Sequence, residues 1–357
     1  MDTDYIDLAL GNKPFLTLIV PFFITAFLLP HLGRLASGIG LVDQPNKRKI
    51  HAEPRPLVGG LAMSLAVALT GLLFIPLYNL RGFYAGLVLL VISGFLDDFG
   101  ELSHKYKFVA QIIAAICIMY FSKVSVHTFG NILPFGSIDF NTSTIPITVI
   151  GIVGVCNAIN MIDGLDGLAG GVSLTAFGSF AFLSFMFDKP VLMLLNISVC
   201  GSLTAFLIYN WYPAKLFMGD AGSLFLGFAA GFMSIAITQE QNSPVKPVIP
   251  LLVLAVPIVD TLTVMTKRMI RGKHPFRADK RHLHHILLKV GFSRRQTASI
   301  IILLSGFFCS VAIAGTFLKV PEYYLFFFFM AYFILYFTAS FFIKTLLRNR
   351  KYLGASA

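Results

Sequence analysis

Apolar runs near 20 residues long recur along almost the whole chain. They fall at about 14–32, 57–77, 82–96, 108–124, 144–159, 168–187, 191–209, 221–239, 248–267, 298–318 and 322–344. A run of that length is what an α-helix needs to cross a bilayer. In lipid every backbone N–H and C=O must be satisfied inside the protein, so only helices or a closed barrel can span. The runs are continuous rather than alternating, which argues against a barrel. The expected fold is therefore all-α, a polytopic transmembrane helical bundle of about 11 spans. Composition agrees: 56% of residues are hydrophobic, mean hydropathy is +0.79 and only 13% are charged. The whole chain, 1–357, reads as one integral membrane domain.

The net charge is +11, and it is unevenly placed. With the N-terminus outside, 22 of the 28 Lys and Arg residues fall on the cytoplasmic side. The outer side keeps only Lys13, Arg81, Lys123, Lys189, Lys246 and Lys319. Cytoplasmic loops carry the Lys/Arg excess, so the N-terminus is expected out and the C-terminus in. No stacking or base-reading module accompanies the charge, and no nucleic acid partner is expected. Cys117, Cys156, Cys200 and Cys309 lie singly in apolar runs, as small buried hydrophobes do. The N-terminus carries Asp2, Asp4 and Asp7 and lacks a basic n-region, so a cleaved signal peptide is not expected.

This topology gathers the polar motifs onto the cytoplasmic face, in loops 33–57, 97–107, 160–168, 210–220 and 268–297. The stretch NAINMIDGLDGLAGG, 157–171, places Asn157, Asn160, Asp163 and Asp166 at every third residue. If the segment stays helical, successive members lie near one another. Carboxylates and amides at a membrane edge are costly unless they coordinate something. Asp97 and Asp98 end the third run; a solvated helix end is the plain reading, a metal or phosphate site the functional one. Asp220, in FMGDAGS, is explained by a helix cap and also suits a metal ligand. Asp260 sits inside the ninth run, divided between a helix–helix hydrogen bond and function.

His282, His284 and His285 cluster in HLHH. Their spacing matches no zinc pattern, and Lys280 and Arg281 would repel a divalent cation. Contacts to phosphates fit better, with His282 and His285 sharing a helical face and His284 pointing elsewhere. HLHHILLKV reads as a short helix stopped by Gly291. Ser293 and Gln296 form a capping-box pattern for the next helix. The outer loop near 125–143 reads as a small hairpin. Acids and amides from three inner loops, ringed by cations, suit phosphoryl transfer between anionic substrates. Magnesium fits such a set, because it takes few carboxylates plus phosphate oxygens. The apolar body suits a lipid tail.

The stretches GFLDDFGELS, NAINMIDGLDGLAGG, KLFMGDAGSLFLGF and DKRHLHHILLKVGFSRRQ resemble the signatures of the polyprenyl-phosphate N-acetylhexosamine-1-phosphate transferases. The resemblance covers about 33–300, in order, and is closest to the WecA/TagO-type branch. In the related MraY branch an acidic residue follows three histidines; here HLHH is followed by Ile286 and Leu287. The resemblance implies transfer of N-acetylglucosamine-1-phosphate from UDP-N-acetylglucosamine to undecaprenyl phosphate, with release of UMP. The alternatives are the same chemistry with another UDP-sugar, or an ion-coupled transporter. It implies Asn160 and Asp220 as ligands of Mg2+ (Mn2+ as substitute), and Asp97, Asp98 and Asp163 as catalytic acids. Asp166 and Phe217 would meet the uracil, with Lys107, Arg281, His282, His284 and His285 at phosphate and sugar, and Lys49 and His51 facing substrate. The bacterial inner membrane and a homodimer are further expectations.

Overall fold

A computed structural model of the chain describes residues 11–44, 53–100, 102–140, 142–240, 243–272 and 282–353, with side chains to residue 342 apart from Asn79. Lys49, His51 and Arg281 lie outside the described residues.

Each apolar run is helical. The first four helices are α1 (Lys13–Ile39), α2 (Gly59–Phe74), α3 (Arg81–Gly100) and α4 (His104–Phe121). Next come α5 (Thr144–Ile162), α6 (Leu168–Met186), α7 (Pro190–Asn210) and α8 (Gly219–Thr238). The ninth run is split into α9 (Val248–Val253) and α10 (Ala255–Met269). The short α11 (Leu283–Val290) then leads to α12 (Arg294–Phe317) and α13 (Glu322–Leu353). Among the described residues, 8 helices are long and apolar enough to cross a membrane.

The split has a local cause. Pro257 has no N–H to donate to the carbonyl of Val253, and the chain bends at Leu254, with φ −102° and ψ 19°. The thiol of Cys309, on α12, lies 3.7 Å from that carbonyl and 3.7 Å from Thr175 O, a weak donor shared between the two. Several helices outrun their expected ends, α13 by nine residues, to Leu353. α1 continues to Ile39 and stops at Gly40, whose φ of 82° closes the helix in the left-handed conformation. α3 continues to Gly100, so Asp97 and Asp98 belong to its last turn rather than to a loop.

The inner and outer connections carry some extended structure. β1 (Val42–Asp43) and β2 (Arg55–Pro56) pair antiparallel in the first loop, a small exception to the all-helical expectation. The outer hairpin forms: Phe129 N donates to Ile138 O at 2.9 Å and Phe140 N to His127 O at 2.7 Å. Gln239 just beyond α8 ties it down, its Oε1 accepting from His127 N at 2.8 Å and Thr128 N at 3.0 Å. α11 ends at Gly291 and α12 begins with the Ser293–Gln296 capping box, both as expected.

α8 is the central helix. Its apolar window is 89% buried, against 17% for α13, which marks α13 as the outermost. Helices α2, α3 and α5 pack around α8. In lipid, close packing rather than water exclusion holds helices together, so small residues sit at contacts. Gly94 of α3 shows this: a Cβ there would lie 2.4 Å from Ala221 Cα. That approach brings the end of α3, with its two acids, against the start of α8.

Candidate active site

The last turns of α3 and α5 meet the first turns of α4 and α8. The amides at the start of α8 have no partner within the helix. Asp98 supplies one from α3: its Oδ1 accepts from Asp220 N at 2.7 Å and its Oδ2 from Ala221 N at 3.2 Å. Both oxygens of Asp98 are thus engaged in capping α8. Asp97 behaves differently. Its Oδ2 accepts from Lys107 Nζ at 2.8 Å, and the same ammonium donates to Asp220 Oδ2 at 2.6 Å. Asn160 extends the chain of bonds, its Nδ2 donating to Asp220 Oδ1 at 3.2 Å and to Ser223 Oγ at 2.8 Å.

The three-residue file does not stay together. α5 ends at Ile162, so only Asn157 and Asn160 are helical. Asn157 turns away to Gln111 Oε1, 2.8 Å from its Nδ2. Asp163 and Asp166 lie in the following turn. Asp166 Oδ2 accepts from Ala214 N at 2.9 Å, beside the cis Tyr212–Pro213 peptide. Asn210 fastens the same turn, accepting from Gly167 N at 3.0 Å and donating to Leu216 O at 2.9 Å. Phe217 is held by backbone pairing with the first loop: its N donates to Pro56 O at 2.9 Å and its O accepts from Gly59 N at 3.0 Å.

These pieces surround a cavity of about 620 Å³. Asp98, Asp163, Asp166, Phe217, Asp220, His284 and His285 line it, as do Asp43, Arg55, Tyr212 and Arg294. Lys107 and Asn160 join through their bonds to Asp220, and Asp97 through its bond to Lys107. His282 does not line the cavity. Its Nδ1 lies 2.8 Å from Asp260 Oδ2, whereas His284 and His285 face the cavity together, correcting the expected sharing of a face by His282 and His285. Sequence reasoning also missed Asp43, Arg55, Tyr212 and Arg294. They lie in loops already singled out, but nothing local marks them as wall residues.

Asp163 is exposed toward the cavity, while protein atoms crowd its carboxyl from the other sides. That crowding, then the charges of Asp220 and Asp166, pushes its pKa up to about 7. An unfolded-chain Asp ionises near 3.9. Between about pH 4 and 7 the folded state therefore holds a proton that the unfolded chain has lost, and stability falls as pH rises through that window. Asp163→Asn is expected to flatten the decline in melting temperature of ligand-free protein over this range. An unchanged pH profile would count against the assignment.

His284 is 2% exposed, and burial, then neighbouring His285, pushes its pKa down to about 3. It is neutral at physiological pH and acts as a hydrogen-bonding group, not a cation. Its Nδ1 has no hydrogen-bond partner among the described residues. Its ring lies on the turn after α5: a Cβ at Gly164 would fall 2.5 Å from His284 Nε2.

The cluster fits a divalent cation. Its donors are oxygens, the type Mg2+ takes. Asp97 and Asp220 share the Lys107 ammonium, which bridges them. With Nδ2 of Asn160 bonded to Asp220 and Ser223, its Oδ1 is the atom available to a metal. Among the described residues no three His, Cys, Asp or Glu side chains converge as metal ligands. A cation here would take few protein oxygens and complete its shell from water and phosphate.

Comparison with known proteins gives the family. The model of glycosyl transferase family 4 matches residues 80–238. The chain is similar to a probable undecaprenyl-phosphate N-acetylglucosaminyl 1-phosphate transferase of Bacillus subtilis (strain 168), with 35% identity over 305 residues, 82% of each chain. The chain belongs to glycosyl transferase family 4. It is also similar to the undecaprenyl-phosphate alpha-N-acetylglucosaminyl 1-phosphate transferases of Escherichia coli (strain K12) and Yersinia pestis. Identity is 31% in both, over 89% and 81% of each chain respectively. The stretch matched to family 4 contains the acids, Lys107, Asn160 and Phe217, and ends before the histidine helix α11.

Proposed function

We propose that this transferase moves N-acetylglucosamine-1-phosphate from UDP-N-acetylglucosamine to undecaprenyl phosphate, giving undecaprenyl-diphospho-N-acetylglucosamine and UMP. This would begin a cell-envelope polysaccharide, such as a teichoic acid or lipopolysaccharide. The observation that carries the reading is the bonded chain Asp97–Lys107–Asp220–Asn160 at the edge of a cavity walled by Phe217, Asp166 and His284. The relatives' names supply the transferred group, N-acetylglucosaminyl 1-phosphate, and the acceptor, undecaprenyl phosphate.

A magnesium ion held by Asn160 and Asp220 would supply charge neutralisation for the diphosphate. Asp98 holds the start of α8, and with it Asp220, in register. Asp166, with Oδ2 fixed by Ala214 N, has its second oxygen to accept from a base N–H, and Phe217 offers a ring to stack on. Neutral His284 hydrogen-bonds sugar or phosphate oxygens beside His285. The 22-to-6 charge asymmetry supports a cytoplasmic site; the reading places it in an eleven-span bundle of a bacterial inner membrane, with all five inner loops in one domain.

A phosphomonoester has its second pKa near 6, so the lipid phosphate is mostly a dianion at neutral pH. It needs positioning and neutralisation more than deprotonation. Asp97, bonded to Lys107, is read as a positioning group. Asp97→Asn keeps the shape and one acceptor, so turnover is expected to fall about 10- to 100-fold with the fold retained. Wild-type rates in that variant would remove Asp97 from the site.

The deciding assay uses purified protein in detergent with undecaprenyl phosphate and Mg2+. UDP-N-acetylglucosamine and UDP-N-acetylmuramoyl-pentapeptide are supplied in parallel, and UMP and lipid product are followed. Metal-dependent UMP from the first alone supports the reading. UMP from the second alone keeps the chemistry and changes the sugar; none from either refutes it.

A further inference from the structure

Asp260 lies on α10, away from the cavity, and is 2% exposed. It accepts hydrogen bonds from two other elements. Its Oδ2 lies 2.8 Å from His282 Nδ1, and its Oδ1 accepts from Leu283 N at 2.8 Å and from Tyr336 OH at 2.6 Å. His282 is the N-cap residue of α11, and its side chain makes no cap bond of its own. Leu283 N is the first amide of that helix. A cap normally comes from the N-cap side chain itself. Here the carboxylate arrives from another helix, 23 residues earlier in sequence than Leu283.

α11 has 8 residues, too few to be stable alone, so its place depends on what it is tied to. Fixing His282 also fixes its neighbours in α11. The His282 and His284 rings lie parallel, 5.8 Å apart with 5° between planes, and His284 in turn rests on Gly164. The tie extends to the outermost helix. Tyr336 is on α13, and Lys267, near the end of α10, hydrogen-bonds Ser340 of α13 with its Nζ 4.5 Å from the Phe341 ring centroid. Thus α10 is fastened to α13 at two heights, and the Asp260 fastening shares its carboxylate with the start of α11.

We infer that Asp260, supported by Tyr336, is a positioning residue for nucleotide-sugar binding: it anchors the start of α11 and so sets His284 and His285 on the cavity wall. The anchoring stands on the geometry alone; the effect on nucleotide-sugar binding rests on the function proposed above. Asp260 itself touches no substrate. A purely structural tie between α10 and α13 would weaken the fold and affect both substrates alike. A positioning role acts selectively on the substrate that α11 meets.

The test varies UDP-N-acetylglucosamine and undecaprenyl phosphate separately for the wild type, Asp260→Ala, Asp260→Asn and Tyr336→Phe, and follows amide hydrogen exchange of 283–290. Asp260→Ala is expected to raise KM for the nucleotide sugar about tenfold or more, with KM for the lipid changed less than about twofold. Exchange protection of α11 is expected to fall while that of α8 is kept. Asp260→Asn retains an oxygen for Leu283 N and Tyr336 OH and is expected to restore most of both. Should Asp260→Ala fail to fold, Tyr336→Phe, which removes one bond of three, is expected to raise the same KM about two- to fivefold and to loosen α11. Unchanged α11 exchange in a folded variant, or equal rises in both KM values, overturns the inference. If the wild type releases no UMP, the proposed function fails on its own, and the exchange data still decide whether Asp260 anchors α11.

Discussion

Asp220→Asn is expected to lower kcat/KM for UDP-N-acetylglucosamine about a thousandfold, with the fold retained. Asp220 is where the separate parts of the site converge: Lys107 and Asn160 both bond its carboxylate, and Asp98 bonds its backbone N. The asparagine has the same shape but one acceptor and no charge. It therefore loses the attraction that holds Lys107, and its NH2 group either meets another donor or leaves one unpaired. A cation bound by two protein oxygens would lose its only charged ligand of the pair. Two measurements separate these effects. Steady-state UMP release gives the size of the loss, and Mn2+ binding followed by electron paramagnetic resonance gives the metal affinity. A loss below about tenfold, with metal affinity unchanged, would dismiss Asp220 as the centre of the site.

Asp98→Asn is expected to cost about 100-fold in kcat/KM and, unlike Asp97→Asn, about 1–3 kcal/mol of stability. The two acids are adjacent in sequence and opposite in use. Asp98 accepts two backbone N–H bonds at the start of α8. An asparagine can accept one of them, but its NH2 group then faces the second N–H, donor against donor. The first turn of α8 must shift, and Asp220 moves with it. Thermal unfolding in detergent together with turnover provides the check: the two losses should appear together in Asp98→Asn and apart in Asp97→Asn. A fully stable Asp98→Asn protein would show that capping α8 is not its task.

The site turns a run of conventional helix-end problems to use. α8 needs a cap, and Asp98 provides it from α3. α11 needs an anchor, and Asp260 provides it from α10. The turn after α5 must be fixed, and Asn210 and Ala214 hold it from the fourth loop. Each of these bonds also fixes a side chain that faces the cavity. Rigid elements rather than long free loops therefore set the geometry, which suits a reaction governed by positioning and charge neutralisation.

The amino-acid sequence alone determined that this chain is a bundle of membrane-length helices, because run length and continuity act locally and leave lipid no other solution. It also determined where chemistry is concentrated, since charged and amide side chains at run ends are too costly to be accidental in such numbers. The short helix at HLHH, its stop at Gly291 and the capping box at Ser293 were legible for the same reason: caps depend on neighbours within a few residues. Only the tertiary structure decided which polar residue does what. Lys107 reaches Asp220 across 113 residues, and Asp98 reaches Asp220 N across 122. No periodicity carries such information, so Asp97 and Asp98 looked alike, His282 looked like a cavity residue, and Asp260 had no partner. The break at Leu254 was half visible, in Pro257, but the weak thiol donor beside the freed carbonyl comes from another helix. Spacing along one chain fixes neighbours within a turn; which helix ends come to face each other is fixed by close packing, as where Gly94 lets α3 lie against α8.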